Sequence, residues 1–503
     1  MTPSRVPFCF AICTLGLYLL LAVPVLVLIR IDDLVCWIGF GFLHECLALG
    51  ISLELSELAF GIALPRRHHP RVQVVDPSRT RIAALYTCCD DAETGALEAL
   101  QQLTDIDVYV LDDSRKPASR KALDQTGLPI VRRNDRTGFK AGNLNHWLSL
   151  YGDRYDYFLV LDSDSVISSQ AVWDLVAHME HEDNRDVAIV QSQIHPRPGN
   201  RFQANLAALP TLRAQVLSRL HDRLGWTLSH GHNNLHRVQA IRQVGGFDLA
   251  ASAEDTLLSL NLRREGWRII LVDVLSYEME PRDIFTYRRR HLRWARQTVD
   301  VFLAARGQLP LPIVLLMARH LFAYLLPAAC TGLLAFVAFL SPQITVGQAG
   351  EVLLRNYALA DGHVAAGLTC YLISGAFVTI LFLKLLYGLR ARLSMKRLVL
   401  SGFLGGAVAS FCGLHTLSSV AKSLAGNRVP FNPTGANAPH PPGAGVHAII
   451  ASMALPWLIY LVITIRLWMN PGLFVFGLNL VWAAVIVASP VILWLFHRDR
   501  AAG

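Results

Sequence analysis

The 503-residue sequence is poor in charge and lacks every common cysteine pattern. Only 17% of its residues are charged, against about a quarter in an ordinary soluble domain, while 53% are hydrophobic. Its nine cysteines include no CxxC pair and no zinc-ligand spacing, which argues against zinc sites. No repeat or low-complexity tract is present. No small-residue cleavage pattern follows the first apolar stretch, so this stretch is predicted to be a retained membrane anchor.

The excess of basic residues lies beside apolar stretches. The formal net charge is +8, and one basic run occupies residues 66–71, directly after the second apolar stretch. Cytoplasmic flanks of membrane helices are enriched in Lys and Arg, where they face anionic lipid. The charge therefore indicates membrane lipid as a partner and argues against nucleic acid.

Several apolar segments are long enough to cross a membrane, since a spanning helix needs about 20 apolar residues. They are residues 8–29, 34–64, 313–340, 364–389, 398–417, 447–465 and 472–496. If 398–417 lies flat on the cytoplasmic surface, every basic flank stays inside. We therefore predict about six spans plus an interfacial helix, in an integral cytoplasmic (inner) membrane protein.

Composition divides the chain into predicted domains. They are two N-terminal transmembrane helices at 1–64, a cytoplasmic domain with an interfacial helix at 80–305, transmembrane helices at 313–389, an interfacial helix and a Pro/Gly-rich loop at 396–445, and transmembrane helices at 447–496. The second span carries His44, Glu45, Glu54 and Glu57, which are costly in hydrocarbon. They predict either the lining of a polar channel or an interior-facing helix near the interface.

The region between the two sets of spans has an α/β pattern. Short apolar runs at 82–86, 108–111, 157–161 and 188–190 alternate with helical segments, which predicts a parallel sheet with crossover helices. Ligands bind beyond the carboxyl ends of strands in such sheets. The pair Asp112-Asp113 follows one run directly, and Asp162 and Asp164 follow another. Both acidic clusters are therefore expected to face one crevice.

The acidic clusters suggest specific ligands. Asp162-Ser163-Asp164 is a DxD arrangement, whose hard oxygen ligands suit Mg²⁺ or Mn²⁺ beside a diphosphate, although a solvated turn has the same composition. Asp113 could accept hydrogen bonds from a nucleobase edge or a ribose. The segment 137–143 offers backbone donors and the Lys140 ammonium to a phosphate, or is simply a glycine turn before a helix at 144–150.

Two later clusters complete the candidate site. Asp255, in the pair Glu254-Asp255, could act as a general base toward an acceptor hydroxyl, or the pair could simply favour the helix dipole. The run 288–294 combines arginine forks with an indole that can stack on a sugar, or forms a basic interfacial helix. The His-Gly-His loop at 229–234 has no partner spaced for a metal site, so a sugar-contacting loop is favoured.

Taken together, these motifs resemble glycosyltransferase family 2, and most closely cellulose synthase with its hyaluronan, chitin and bacterial glucan synthase relatives. The resemblance rests on an ordered set: Asp113, Lys140-Ala141-Gly142-Asn143, Asp162 and Asp164, Val190-Gln191, Glu254-Asp255, and Arg290-x-x-Arg293-Trp294. It implies an α/β GT-A glycosyltransferase domain inserted between transmembrane helices, which uses a UDP-sugar with Mg²⁺ or Mn²⁺.

The resemblance also assigns roles to residues. Asp255 would be the catalytic base, and Asp162 and Asp164 would hold the metal. Substrate-binding residues would be Thr87, Asp91, Asp113, Lys140, Asp162, Gln191, His230, Glu254, Arg290, Arg293, Trp294 and Thr434. Two positions depart from the family pattern: Ala253 replaces a Thr before the acidic pair, and the gating-loop Lys expected after Thr434 is missing.

The predicted function is that of a processive inverting β-glycosyltransferase. It would polymerise a UDP-sugar, with UDP-glucose and a β-glucan favoured, onto a polysaccharide acceptor and move the polymer across the membrane, where export subunits could receive it. Two alternatives are a non-processive transferase acting on a lipid-linked acceptor and a catalytically silent translocation or scaffold subunit.

Overall fold

A computed structural model describes residues 5–65, 67–249, 253–304, 311–340, 344–346, 379–388 and 393–425, with short pieces between 454 and 495. The chain divides into two compact units. A helical unit comprises Met1–Leu64, Val314–Lys422 and Pro441–Gly503, and an α/β unit comprises Pro65–Ile313 and Ser423–His440. The soluble region predicted at 80–305 falls within the α/β unit.

The elements used below are, in chain order, α1 (Val6–Leu28), β1 (Ile29–Ile31), α2 (Leu34–Ala63), β2 (Ile82–Cys88), α3 (Thr94–Gln101), β3 (Asp107–Asp112), α4 (Pro117–Asp124), β4 (Ile130–Val131), α5 (Phe139–Tyr151), β5 (Tyr157–Leu161), α6 (Ser169–Met179), β6 (Val187–Pro196), α7 (Arg201–Leu206), α8 (Ala208–Arg223), β7 (Asn234–Arg237), α9 (Val238–Gln243), α10 (Glu254–Arg264), β8 (Arg268–Glu278), α11 (Ile284–Ala304), α12 (Leu311–Leu340), β9 (Ile344–Val346), α13 (Thr379–Gly388) and α14 (Met395–Leu424). Capping side chains fix several helix starts: Asp33 Oδ1 accepts from Cys36 N at 2.7 Å at the start of α2.

Among the described residues, three helical stretches are long and apolar enough to cross a membrane. They are Val6–Val27, Leu34–Ala63 and Met395–Gly413. The first two match the predicted N-terminal spans and indicate a membrane protein. The third coincides with the expected interfacial helix, whose position at the membrane surface stays a prediction. The spans predicted at 447–465 and 472–496 lie mostly outside the described residues, so the number six also stays a prediction.

The acidic residues of α2 are paired with neighbouring helices of the helical unit. Glu57 accepts from Arg319 Nε of α12 at 2.6 Å, and Glu54 lies 2.5 Å from Lys384 Nζ of α13. Glu45 accepts a hydrogen bond from the Tyr18 hydroxyl of α1. Charges inside apolar helix bundles are normally paired in this way. These contacts favour the interior-facing alternative for Glu54 and Glu57.

The α/β unit is built on a seven-stranded sheet with the order β4-β3-β2-β5-β7-β6-β8. β7 runs antiparallel to both of its neighbours, and the other strand pairs are parallel. The sheet is therefore mixed: the predicted parallel strands are present, and the antiparallel β7 was not predicted. The four residues of β7 read Asn-Leu-His-Arg, and so short a polar-apolar alternation gives no apolar run to identify it.

Trp147 of α5 lies in the hydrophobic core on one face of this sheet. Its side chain is fully buried, and its ring packs against Tyr155 and Phe158 at centroid distances of 5.6 and 5.7 Å. We expect Trp147→Ala to lower the free energy of unfolding by about 3–5 kcal/mol, because it leaves a large cavity. Thermal unfolding in detergent measures this as a lower Tm. Leu150→Ala on the half-exposed side of α5 should leave the Tm nearly unchanged, and equal losses would contradict the packing.

Candidate active site

The carboxyl ends of the central strands bring the predicted acidic clusters together. β2 pairs with β3 up to Cys88 and Asp112, and with β5 up to Tyr86 and Leu161. The Thr87 hydroxyl donates to the carbonyl oxygen of Leu161 at 3.1 Å, and its Oγ1 lies 3.4 Å from Asp162 Oδ1. The expected crevice is therefore present at this edge of the sheet.

Asp162 and Asp164 differ in how their charges are balanced. Burial raises the pKa of Asp162, but the charges of Lys140, His232 and Arg293 outweigh this effect and lower the pKa overall. Burial and the adjacent Asp162 charge raise the pKa of Asp164 to about 7. Asp162 is therefore stabilised as an anion by protein cations, whereas the charge of Asp164 is poorly compensated.

This donor set fits a divalent cation. Two carboxylates one residue apart supply hard oxygen ligands, and a double positive charge would compensate Asp164. Within the described part of the chain, no group of three or more His, Cys, Asp or Glu residues is arranged to hold a metal. Mg²⁺ commonly binds one or two carboxylates and takes further ligands from substrate phosphates. Asp162 and Asp164 would hold the ion in that way.

Lys140 lies in the first turn of α5, which begins at Phe139 rather than at Leu144 as expected. Gly138 precedes the helix with φ +70°, and a Cβ on Gly142 would meet the Thr137 carbonyl oxygen at 1.9 Å. These glycines permit the tight start that directs Lys140 inward. Its Nζ lies 2.5 Å from Asp162 Oδ1 and donates to the carbonyl oxygen of Gly231 at 2.9 Å.

The predicted nucleotide-binding carboxylates already have protein partners. Arg133 donates to both oxygens of Asp113, at 2.9 and 2.7 Å, and Arg132 donates to Asp112 at 2.7 Å. Asp91 accepts from the backbone N–H of Cys89 at 2.6 Å, and burial raises the pKa of Asp91 to about 6. A bound nucleotide would share Asp113 with Arg133, so nucleotide binding by Asp113 and Asp91 stays a prediction.

Asp255 stands at the start of α10 and packs against Gly231. Its Oδ1 accepts from the backbone N–H of Thr256 at 2.7 Å, and a Cβ on Gly231 would lie 2.7 Å from its Oδ2. Burial raises the pKa of Asp255, and burial together with the Asp255 charge raises the pKa of Glu254 to about 7. A carboxylate with a raised pKa suits a general base.

We expect Gly231→Ala to lower glycosyl transfer by about tenfold or more, because a misplacement near 1 Å is costly in catalysis. The new methyl group would displace Asp255, and φ at this position is +82°, where an L-residue is strained. Gly127→Ala is the matched control, since Gly127 has a similar φ of +71° but open space around its Cα. Turnover of the purified variants distinguishes them, and equal turnover would contradict the close packing on Asp255.

Gln191 holds the loop that contains Gly231. The side chain is fully buried, its Oε1 accepts from the backbone N–H of His230 at 3.0 Å, and its Nε2 donates to the carbonyl oxygens of His232 and Asn233. His230 itself is exposed at the crevice. The described contacts of Gln191 are therefore internal, and direct substrate contact by Gln191 and His230 stays a prediction.

Arg290, Arg293 and Trp294 lie on α11. Arg290 donates to Glu280, and its guanidinium lies 4.7 Å from the centre of the Trp294 ring. Burial lowers the pKa of Arg293, while the charges of Asp162, Glu254 and Asp255 oppose that shift. Arg293 is therefore within electrostatic range of both acidic pairs, whereas Arg290 is anchored by Glu280. The predicted Thr434 lies outside the described residues.

His232 and Glu278 also belong to this crevice; His232 was predicted only as part of the sugar-contacting loop 229–234, and Glu278 was not predicted. His232 Nε2 lies 2.6 Å from Glu278 Oε2, and His232 Nδ1 lies 3.8 Å from Asp162 Oδ2. Burial lowers the pKa of His232 and raises that of Glu278. One signal was available in the sequence: Glu278 ends a strand, as Asp112 does.

Comparison with known proteins agrees with these motifs. Residues 157–389 match the family model described as glycosyl transferase family group 2. The chain is 26% identical over 264 residues to glucans biosynthesis glucosyltransferase H of Caulobacter vibrioides, covering 46% of this chain and 38% of that protein. It is 27% identical over 204 residues to the UDP-forming cellulose synthase 1 catalytic subunit of Komagataeibacter xylinus, covering 39% and 27%. The chain thus spans about a third of the length of these relatives.

A mannosyltransferase from Pyrobaculum calidifontis, solved with GDP-Man and Mn²⁺, has a TM-score of 0.46 and 19% identity, and the match covers 69% of this chain and 99% of that one. The family match and the two curated relatives support the recognition made from the sequence. Residues 157–389 of the chain therefore match glycosyl transferase family group 2, and the motifs of the candidate site fit a glycosyltransferase.

Proposed function

We propose that the protein is a membrane-embedded inverting β-glycosyltransferase with a GT-A domain, which transfers glucose from UDP-glucose to the end of a growing β-glucan. One observation carries the proposal. Gly231 lies between the two acidic centres, with its carbonyl oxygen bound to the Lys140 that contacts Asp162 and its Cα against Asp255. Asp162, proposed to act on the donor, and Asp255, proposed to act on the acceptor, are therefore linked through Gly231.

The reaction follows from these positions. Asp255 Oδ2 takes the proton of the acceptor hydroxyl as that oxygen forms a bond to the anomeric carbon of the donor. The bond between the anomeric carbon and the diphosphate oxygen breaks, and UDP leaves with the electron pair. Attack from the side opposite UDP inverts the anomeric centre. Lys140 holds Asp162 in place, and the Arg293 charge favours the developing negative charge on the diphosphate.

A divalent ion held by Asp162 and Asp164 would neutralise the diphosphate leaving group. Trp294, which is 36% exposed beside Arg290, offers an aromatic face to the acceptor sugar. The donor is inferred from the names of the relatives, a glucosyltransferase of glucan synthesis and a UDP-forming cellulose synthase. The apolar helices and the basic flank after α2 favour the inner membrane, with the α/β unit in the cytoplasm.

The raised pKa of the base predicts the pH dependence of turnover. Asp255 must be deprotonated, so kcat should be full above its pKa and fall as pH decreases through it. Because burial raises the pKa of Asp255, this acid limb should lie above the value near 4 of an ordinary Asp. Glu254→Gln should leave this limb in place, because the Asp255 charge and burial raise the pKa of Glu254 to about 7, so that Glu254 is still protonated where Asp255 titrates. A kcat profile between pH 4 and 9 measures both, and an acid limb that disappears in Glu254→Gln would assign the base to Glu254 instead of Asp255.

Product size tests processivity and translocation. We expect inside-out vesicles supplied with radiolabelled UDP-glucose to yield long polymer, part of it protected within the lumen from an added glucanase. Products extended by a single sugar on lipid would instead support the non-processive alternative. UDP-glucose binding without UDP release would favour the scaffold alternative.

A further inference from the structure

Residues 229–233, here called the glycine turn, are held in place by hydrogen bonds to their backbone groups. Gln191 contributes three hydrogen bonds to them, and the backbone N–H of Ser229 donates to the Ser259 hydroxyl of α10 at 2.9 Å. The turn thus joins β6 and α10, the helix whose first turn contains the candidate base Asp255. A shift of this turn would move the groups that touch Gly231.

The His232 side chain adds a second anchor on the opposite side. Its Nε2 lies 2.6 Å from a carboxylate oxygen of Glu278 at the end of β8. Its Nδ1 lies 3.2 Å from the His230 carbonyl oxygen and 3.8 Å from Asp162 Oδ2. The imidazole, 14% exposed, therefore bridges the ends of β8 and β5.

Two nitrogen-bearing side chains consequently flank Asp162. Lys140 contacts Oδ1 at 2.5 Å, and His232 faces Oδ2. Lys140 also binds the carbonyl oxygen of Gly231, whose Cα packs on Asp255. The orientation of Asp162 and the position of Asp255 therefore both depend on the same three-residue segment, 230–232.

We propose that His232, oriented by Glu278, is a positioning residue for glycosyl transfer: it fixes Asp162 and, through Gly231, the separation between Asp162 and the base Asp255. The inference rests on the proposed function and extends it to two residues. A histidine whose far nitrogen is held by a carboxylate has a fixed ring orientation, and loss of such outer partners in metal sites typically costs about 10- to 100-fold in metal affinity or activity.

Substitutions at position 232 can distinguish the contact made by Nε2 from the contacts made by Nδ1. Gln carries an amide nitrogen near the place of Nε2 and can keep the contact with Glu278, whereas Asn places its amide near Nδ1 and loses that contact. We expect His232→Ala to weaken Mn²⁺ binding in the presence of UDP, followed by electron paramagnetic resonance, by about 10- to 100-fold and to lower kcat similarly. His232→Gln should retain more of both than His232→Asn.

Coupling and controls complete the test. The double variant His232→Ala/Glu278→Gln should be no worse than His232→Ala, because the two side chains act as one unit. His178→Ala is the control, since His178 is a buried histidine of α6 whose described side-chain bond goes to the Pro70 carbonyl oxygen. It should keep wild-type Mn²⁺ affinity and kcat.

The outcomes separate this inference from the proposed function. Wild-type Mn²⁺ affinity and kcat in His232→Ala, with both lost in Asp164→Asn, would overturn the role of His232 alone. Mn²⁺ affinity that is unchanged in Asp164→Asn would overturn the proposed metal site itself. If His232→Ala does not fold, His232→Asn, Glu278→Gln and the double variant His232→Asn/Glu278→Gln are compared instead. Losses of Mn²⁺ affinity and kcat that add up in this double variant would contradict the coupling, and His232→Gln should still retain more of both than His232→Asn.

Discussion

Replacing Asp255 with Asn is expected to lower kcat for glycosyl transfer by about 10³-fold, within the range that general-base catalysis contributes. The amide keeps the shape of the side chain and can keep the hydrogen bond from the backbone N–H of Thr256 through its oxygen. It cannot accept the proton of the acceptor hydroxyl. UDP binding should be unchanged, because the proposed role of Asp255 is toward the acceptor hydroxyl and not toward the nucleotide. UDP release and calorimetric UDP binding measure the two properties separately.

The matched control is Asp183→Asn, because the Asp183 side chain is 74% exposed and lies on a short helical turn before β6. It should retain wild-type turnover. Turnover by Asp255→Asn within tenfold of wild type would remove Asp255 from the role of base. A parallel loss of UDP binding would instead assign Asp255 to the donor site.

Asp164→Asn is expected to weaken metal-dependent UDP binding by about a hundredfold or more, as a metal contact worth several kcal/mol requires. Burial and Asp162 raise the pKa of Asp164 to about 7, so this carboxylate has the greater need of a divalent cation. Asp162 already has the contact with Lys140. Titration of UDP with and without Mn²⁺ should show that the variant binds UDP as the wild type does without metal.

Asp156→Asn provides a control at the other end of β5. Asp156 precedes β5 at the opposite end of the strand, and its carboxylate accepts from the backbone N–H of Arg81 at 2.9 Å, a bond that Asn can keep. Its Mn²⁺-dependent UDP affinity should equal that of the wild type. Equal affinities for Asp156→Asn and Asp164→Asn would contradict a metal site at the DxD motif.

The sequence predicted those features that depend on local pattern. The run at 157–161 matches β5 residue for residue, and the acidic residues after β3 and β5 meet at one edge because parallel strands share that edge. The antiparallel β7 was missed because four residues carry too little periodicity. The early start of α5 was missed because Gly138 and Gly142 indicated a turn, while both permit the helix to begin at Phe139.

The contacts that organise the site are long-range, and the sequence did not indicate them. His232 and Glu278 are 46 positions apart, and Arg133 reaches Asp113 across 20 positions. Neither pair has a spacing that any local motif encodes. The residue types at the site could therefore be predicted, whereas the protein partners of Asp113 and Asp162 required the fold.

The most direct test of the central claim is UDP release by the detergent-purified protein. UDP-glucose, UDP-N-acetylglucosamine, UDP-glucuronate and GDP-mannose would each be supplied with Mg²⁺ or Mn²⁺ and an oligosaccharide acceptor. We predict metal-dependent release of UDP from UDP-glucose that Asp255→Asn lowers by about 10³-fold. Absence of nucleotide release from all four donors, by folded protein that binds UDP, would contradict it.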